Sequence, residues 1–149
     1  MIPLALPVCT AADLRPLPAM LQGATGSMLG PVWLRNVSSR RCAIGGRPRA
    51  RLSSGGGGLA LATKERALRL DDGARSVSSV AASGRVGIYV QWWNWCGAWP
   101  SGRFVRTLRL ELTLTTGVRV GTRIRTGRAR CDAPAQPSRL YVSAFRTAP

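Results

Sequence analysis

Thr107-Leu108-Arg109-Leu110-Glu111-Leu112-Thr113-Leu114-Thr115 alternates without a break. Leu108, Leu110, Leu112 and Leu114 share one face, and Thr107, Arg109, Glu111, Thr113 and Thr115 share the other. Successive side chains of a strand point to opposite sides. A period of two with one apolar and one polar face therefore predicts an antiparallel strand buried on one side. The same pattern extends outwards in the chain. Gly84 to Trp93 sends Val86, Ile88, Val90 and Trp92 inwards. Val118 to Thr126 turns Val118, Val120, Thr122 and Ile124 one way and Arg119, Arg123 and Arg125 the other. Leu140, Val142 and Ala144 mark a last strand, and Pro31 to Val37 an early one. Arg47 to Leu52 reads as a strand with Arg47, Arg49 and Arg51 on one side.

Turn residues punctuate these runs. Gly55-Gly56-Gly57-Gly58 predicts a flexible hairpin tip and Asp71-Asp72-Gly73 a tight turn, with loops at Pro100-Ser101-Gly102 and Ala133-Pro134. Leu61 to Leu70 fits a short helix as well as a strand. Many short strands with almost no helical pattern predict an all-β fold, an antiparallel β-sandwich. The chain of 149 residues fits one domain. We expect residues 1–8 to form a flexible N-terminal segment, 9–146 the sandwich and 147–149 a tail.

The net charge is +16, carried by 21 arginines and Lys64 against six carboxylates. Such a field attracts polyanions: nucleic acid, anionic lipid or acidic wall polymers. A GC-rich coding sequence also yields arginine in place of lysine, so the bias alone carries no function. No stretch reaches the roughly 18 apolar residues that a membrane-spanning helix needs. Met1 to Cys9 is apolar, but it lacks a basic start and two prolines interrupt it. An export signal is thus not visible; if the protein is exported, the signal is missing from this sequence or lies upstream of a misplaced start.

Cys9, Cys42, Cys96 and Cys131 are even in number and have no C-x-x-C spacing. They read as two disulfides formed in an oxidising compartment. Sequence order suggests Cys9–Cys42 and Cys96–Cys131, each closing a loop of about 35 residues and contributing ~4 kcal/mol in the loop-entropy view. Three connectivities remain open. The cysteines lack paired spacing and the chain has no histidine, so no metal is expected.

Asn36, then Cys42-x-Ile44-x-Gly46-x-Pro48, then Trp92-Trp93-Asn94-Trp95-Cys96 and a late Cys131 form a recognisable set. It resembles domain of unknown function 4232, a family mainly of secreted proteins and lipoproteins of actinobacteria and related GC-rich bacteria. The resemblance runs from Cys9 to about Phe145. It implies an immunoglobulin-like extracellular sandwich with two disulfides and no established activity. The chain departs from the family in its strong positive charge and in lacking a visible export signal and linker.

Four of the five tryptophans, Trp92, Trp93, Trp95 and Trp99, lie close together. A strand cannot bury both Trp92 and Trp93 on one face. With Trp92 inward, Trp93, Trp95 and Trp99 are candidates to stack on sugars or unpaired bases. Arg119, Arg123 and Arg125 are candidates for anion binding, and the Arg47–Arg51 side would extend their surface if the two faces coincide. Catalysis has little support. Histidine is absent, the carboxylates are scattered, the glycine run lacks the Lys-Ser/Thr of a phosphate loop, and no Ser-x-x-Lys is present. No cofactor is expected. The expected function is a non-enzymatic secreted or cell-envelope binding or structural module, monomeric, with an envelope protein or anionic wall polymer as partner. The alternative is a basic domain that binds nucleic acid or another polyanion through its arginine faces.

Overall fold

The computed structural model describes residues 5–24, 26–54, 63–70, 76–98, 107–127 and 135–147. Their strands are β1 (Leu14–Pro16), β2 (Ala19–Ala24), β3 (Ser27–Asn36), β4 (Cys42–Ala43), β5 (Arg49–Ser54) and β6 (Thr63–Ala67). They continue as β7 (Ser79–Val80), β8 (Arg85–Trp93), β9 (Thr107–Thr113), β10 (Arg119–Thr126), β11 (Ser138–Val142) and β12 (Arg146–Thr147). The fold is all-β, with short 3-10 turns at Ala11–Asp13 and Trp95–Ala98. Every run read as a strand contains one, although Arg47 and Pro48 precede β5, Ala144 lies beyond β11, and β12 follows the run read as the last. Leu61 to Leu70 contributes a strand, Thr63–Ala67.

The main ladder runs β5-β9-β10-β2-β3-β8-β11-β6, with β1 added to β3 and β12 to β8. It folds over on itself at β2. Ala19 to Leu21 pair with Ile124 to Thr126 of β10, whereas Gln22 to Ala24 pair with Leu29 to Ser27 of β3. One strand thus serves two sheets, as at the corner of a barrel-like sandwich. The fold is not purely antiparallel as expected. β2 runs parallel to β10 and β6 runs parallel to β11. The strands flanking the Gly55–Gly58 run are not a hairpin either, because β5 pairs with β9 and β6 with β11. The glycine run lies outside the described residues.

One core joins the two sheets. Leu108, Leu110 and Leu112 of β9, Leu52 of β5 and Ile124 of β10 are fully buried. They share a cluster with Met28, Val32 and Leu34 of β3, Val90 and Trp92 of β8, and Leu140 and Val142 of β11. Each such side chain contributes about 1.5–3 kcal/mol by leaving water. The Trp92 indole N–H is buried but not orphaned, since it donates to Ser138 Oγ at 2.6 Å.

The open side of the sandwich is joined by a carboxylate. Glu65 is in register with Leu140, so it faces inwards from β6 towards β5. It accepts the Ala50 N–H at 3.0 Å and pairs with Arg47 at 3.4 Å and Arg49 at 3.6 Å. At the far end of β3, Asn36 is wholly buried and makes a hub. Its Nδ2 donates to the carbonyls of Arg40, Val80 and Ala81, and its Oδ1 accepts from Ser38 N–H and Oγ. These bonds hold the turn that delivers Cys42 to β4. Cys9 and Cys42 are bonded, with Cα atoms 4.9 Å apart. Pro7 and Val8, expected to be loose, are tied to β4: Ala43 N–H donates to the Pro7 carbonyl at 2.7 Å, and Val8 bridges Ala43. Cys96 is also disulfide-bonded. Its expected partner, Cys131, lies outside the described residues.

Two expectations follow. In urea denaturation, Leu110→Ala should cost about 2–5 kcal/mol, whereas Arg119→Ser on the wet side should stay within ~0.5 kcal/mol. Equal effects would contradict the register. Asn36→Ala should cost about 1–3 kcal/mol by orphaning its partners. Asn36→Asp should cost more, because a buried carboxylate would then face three carbonyl oxygens. An aspartate variant as stable as wild type would show that the hub has little weight.

Candidate polyanion-binding face

The wet side of the β5-β9-β10 sheet is an arginine lattice. Pairing places Arg49, Thr113 and Arg119 in one row, then Arg51, Glu111 and Gly121, then Ser53, Arg109 and Arg123, with Thr107 beside Arg125. Arg49, Arg51, Arg109, Arg119, Arg123 and Arg125 are all exposed. The two arginine faces of the sequence therefore do coincide, on one sheet. Rows are about 6.7 Å apart along the strands and strands about 4.8 Å apart.

Local sequence builds the lattice. Thr, Arg and Ser alternate with Leu, Val and Ile, so every second residue points to water. Gly121 makes room at the centre: a Cβ there would collide with the Arg109 guanidinium, which lies across β10. Arg109, Gly121, Arg123 and Arg125 then line a groove of about 680 Å3 together with Arg15 from β1. Pro16 and Pro18 line it as well. Four arginines line it, and none of the described lining residues is acidic.

The other end of the lattice is partly neutralised. Arg51 pairs with Glu111 at 3.8 Å, and Arg47 and Arg49 with Glu65. The described carboxylates each have a structural partner. Glu65 and Glu111 hold arginines. Asp13 accepts the Thr10 N–H at 2.8 Å, a bond that lowers its carboxyl below the usual value. No group of three or more His, Cys, Asp or Glu residues suited to a metal ion occurs among the described residues.

The tryptophans separate. Trp93 is 40% exposed on the wet face of β8, on the other sheet. Trp95 is not available for stacking as expected. The chain leaves the strand at Asn94, which takes a left-handed φ of 55°, and the 3-10 turn that follows buries Trp95. Trp99 lies outside the described residues. Arg119, Arg123 and Arg125 stand where alternation put them, but Arg119 is at the end away from the groove.

Sequence reading missed Arg15 and Arg109 as members of the site. Arg109 was legible as an outward residue of the leucine strand, but its neighbours were not. Arg15 carries no signal, because its place depends on β1 packing near β10. No helix of the described residues is long and apolar enough to cross a membrane. No family model matches the chain, and no curated protein matches it. Among solved structures it is similar to the ASH / PapD-like domain of human CEP192 (PapD-like domain 7). Identity is 10%, the match covers 96% of this chain and 92% of that chain, and the TM-score is 0.31.

Proposed function

We propose that this protein is a non-enzymatic, immunoglobulin-like binding module of the cell envelope or the extracellular space. It grips an anionic polymer through the groove formed by Arg15, Arg109, Arg123 and Arg125. The observation that carries the reading is that four arginines line one groove with no acidic residue among the described lining residues. Guanidinium groups are permanently charged and match phosphate or carboxylate oxygens in bidentate fashion. The disulfide chemistry supports an oxidising compartment, and so an envelope polymer in preference to a nucleic acid.

Binding of this kind works mainly by releasing counterions, so affinity falls linearly with salt on logarithmic axes. Calorimetric titration with a polyphosphate, from low to physiological salt, should show that steep fall. The double variant Arg123→Ser/Arg125→Ser should lower the slope by about 2, roughly one unit per lost arginine. Glu111→Gln should strengthen binding at every salt concentration. Salt-independent binding, or an unchanged slope in the double variant, would remove the groove from the account. Selective binding to one DNA sequence at physiological salt would replace the envelope polymer with nucleic acid.

A further inference from the structure

The geometry points to a second binding site, on the other sheet, for a saccharide that carries a carboxylate. The site is a cleft of about 800 Å3 on the wet face of β8 and β11. That size falls within the range of about 300–1,000 Å3 common for small-ligand sites. It shares no residue with the arginine groove.

Its floor is a four-residue tile. Trp93 is paired with Arg139, and Gln91 with Tyr141, so aromatic and polar side chains alternate along and across the strands. Trp93 is 40% exposed, although an indole gains much by burial. The walls are fixed from both sides. On one, Leu68 N–H donates to the Val142 carbonyl at 2.8 Å and carries Arg69 to the rim. On the other, Asn94 Nδ2 donates to the Gln136 carbonyl at 2.6 Å. Gly97 packs so closely on that same carbonyl that a Cβ would collide with it. A cleft held in this way loses little ordering entropy on binding.

The chemistry of the lining selects the ligand. A pyranose ring has an apolar C–H face and a rim of hydroxyls. Trp93 and Tyr141 offer stacking surfaces for the first. The amides of Gln91 and Gln136 can donate to and accept from the second. Arg69 and Arg139 add two guanidinium groups, and no described lining residue is a carboxylate. A neutral sugar would leave that charge unused, whereas a sugar acid meets it with a bidentate partner. A fatty-acyl chain fits poorly, since it would strip water from the amides and guanidinium groups without replacing their hydrogen bonds.

Calorimetry at physiological salt with tetragalacturonate and with its neutral methyl ester tests the site. The acid should bind, and the ester should bind more weakly. Trp93→Ala should weaken both at least tenfold, the scale of one lost stacking contact. Arg139→Gln should weaken the acid and leave the ester unchanged, and Arg69→Gln/Arg139→Gln should bring the acid down to the level of the ester. Any acid held by the arginine groove does not depend on Trp93 or Arg139, so in the Arg123→Ser/Arg125→Ser background the losses caused by Trp93→Ala and Arg139→Gln should persist, which separates this site from the groove. Arg139 is exposed, so its variant decides the matter even if Trp93→Ala fails to fold. The inference is overturned if millimolar tetragalacturonate does not bind. It is also overturned if Arg139→Gln leaves acid binding intact, or if only the Arg123/Arg125 variant loses it.

Discussion

The fold depends on burying the leucine row of β9 in the same core as the inner row of β8. Leu108, Leu110 and Leu112 are fully buried, as are Val90 and Trp92. Because side chains alternate, this burial also fixes what faces water. A slip of one residue in β9 would bury Arg109 and Glu111 and expose the leucines. The arginine lattice is thus the obligatory other side of the core. The sheet that places Leu110 inwards must place Arg109 outwards.

The two outer surfaces differ in chemistry although one core supports both. On β5, β9 and β10 the outward residues are arginine, threonine, serine, a single glutamate and Gly121. On β8 and β11 they include Trp93, Tyr141, Gln91 and Tyr89. There the Arg146 guanidinium lies over the Tyr89 ring, 4.9 Å from its centroid. Basic charge on the first surface is spread over a lattice and gathered only at the groove near β1. On the second surface, aromatic rings and amides set the character. The proposed polymer groove and the proposed saccharide cleft therefore lie on different sheets. The carboxylate of Glu65 and the strand switch in β2 keep the sheets in the relation that separates these faces.

Local periodicity made the strands legible, and non-local pairing hid their arrangement. Leu108–Leu114, Val86–Trp92 and Val118–Ile124 each declare an inner face, and each is buried as read or nearly so. The stretch Leu14 to Ala24 was silent because two prolines and a glycine break its alternation, yet it supplies β1 and the corner strand. No local pattern tells that Ala19 to Leu21 will lie parallel to β10. Glycine and aspartate signalled changes of direction well, but not partners, so the Gly55–Gly58 run looked like a hairpin between strands that pair elsewhere. Trp95 illustrates the limit of a strand reading. Alternation continued past Trp93 would expose it, but the chain turns at Asn94 and buries it. Charged-face membership was legible residue by residue. The meeting of Arg15 with Arg109, Arg123 and Arg125 was not, since it joins strands far apart in the chain.

The most direct test of the central claim is a two-dimensional amide NMR titration of the uniformly labelled protein with a short polyphosphate. The account predicts that shifts concentrate at Arg15, Arg109, Gly121, Arg123 and Arg125. The amides of Gln91, Trp93, Arg139 and Tyr141 should stay in place. Shifts centred on β8 and β11, or spread evenly over every exposed arginine, would contradict it.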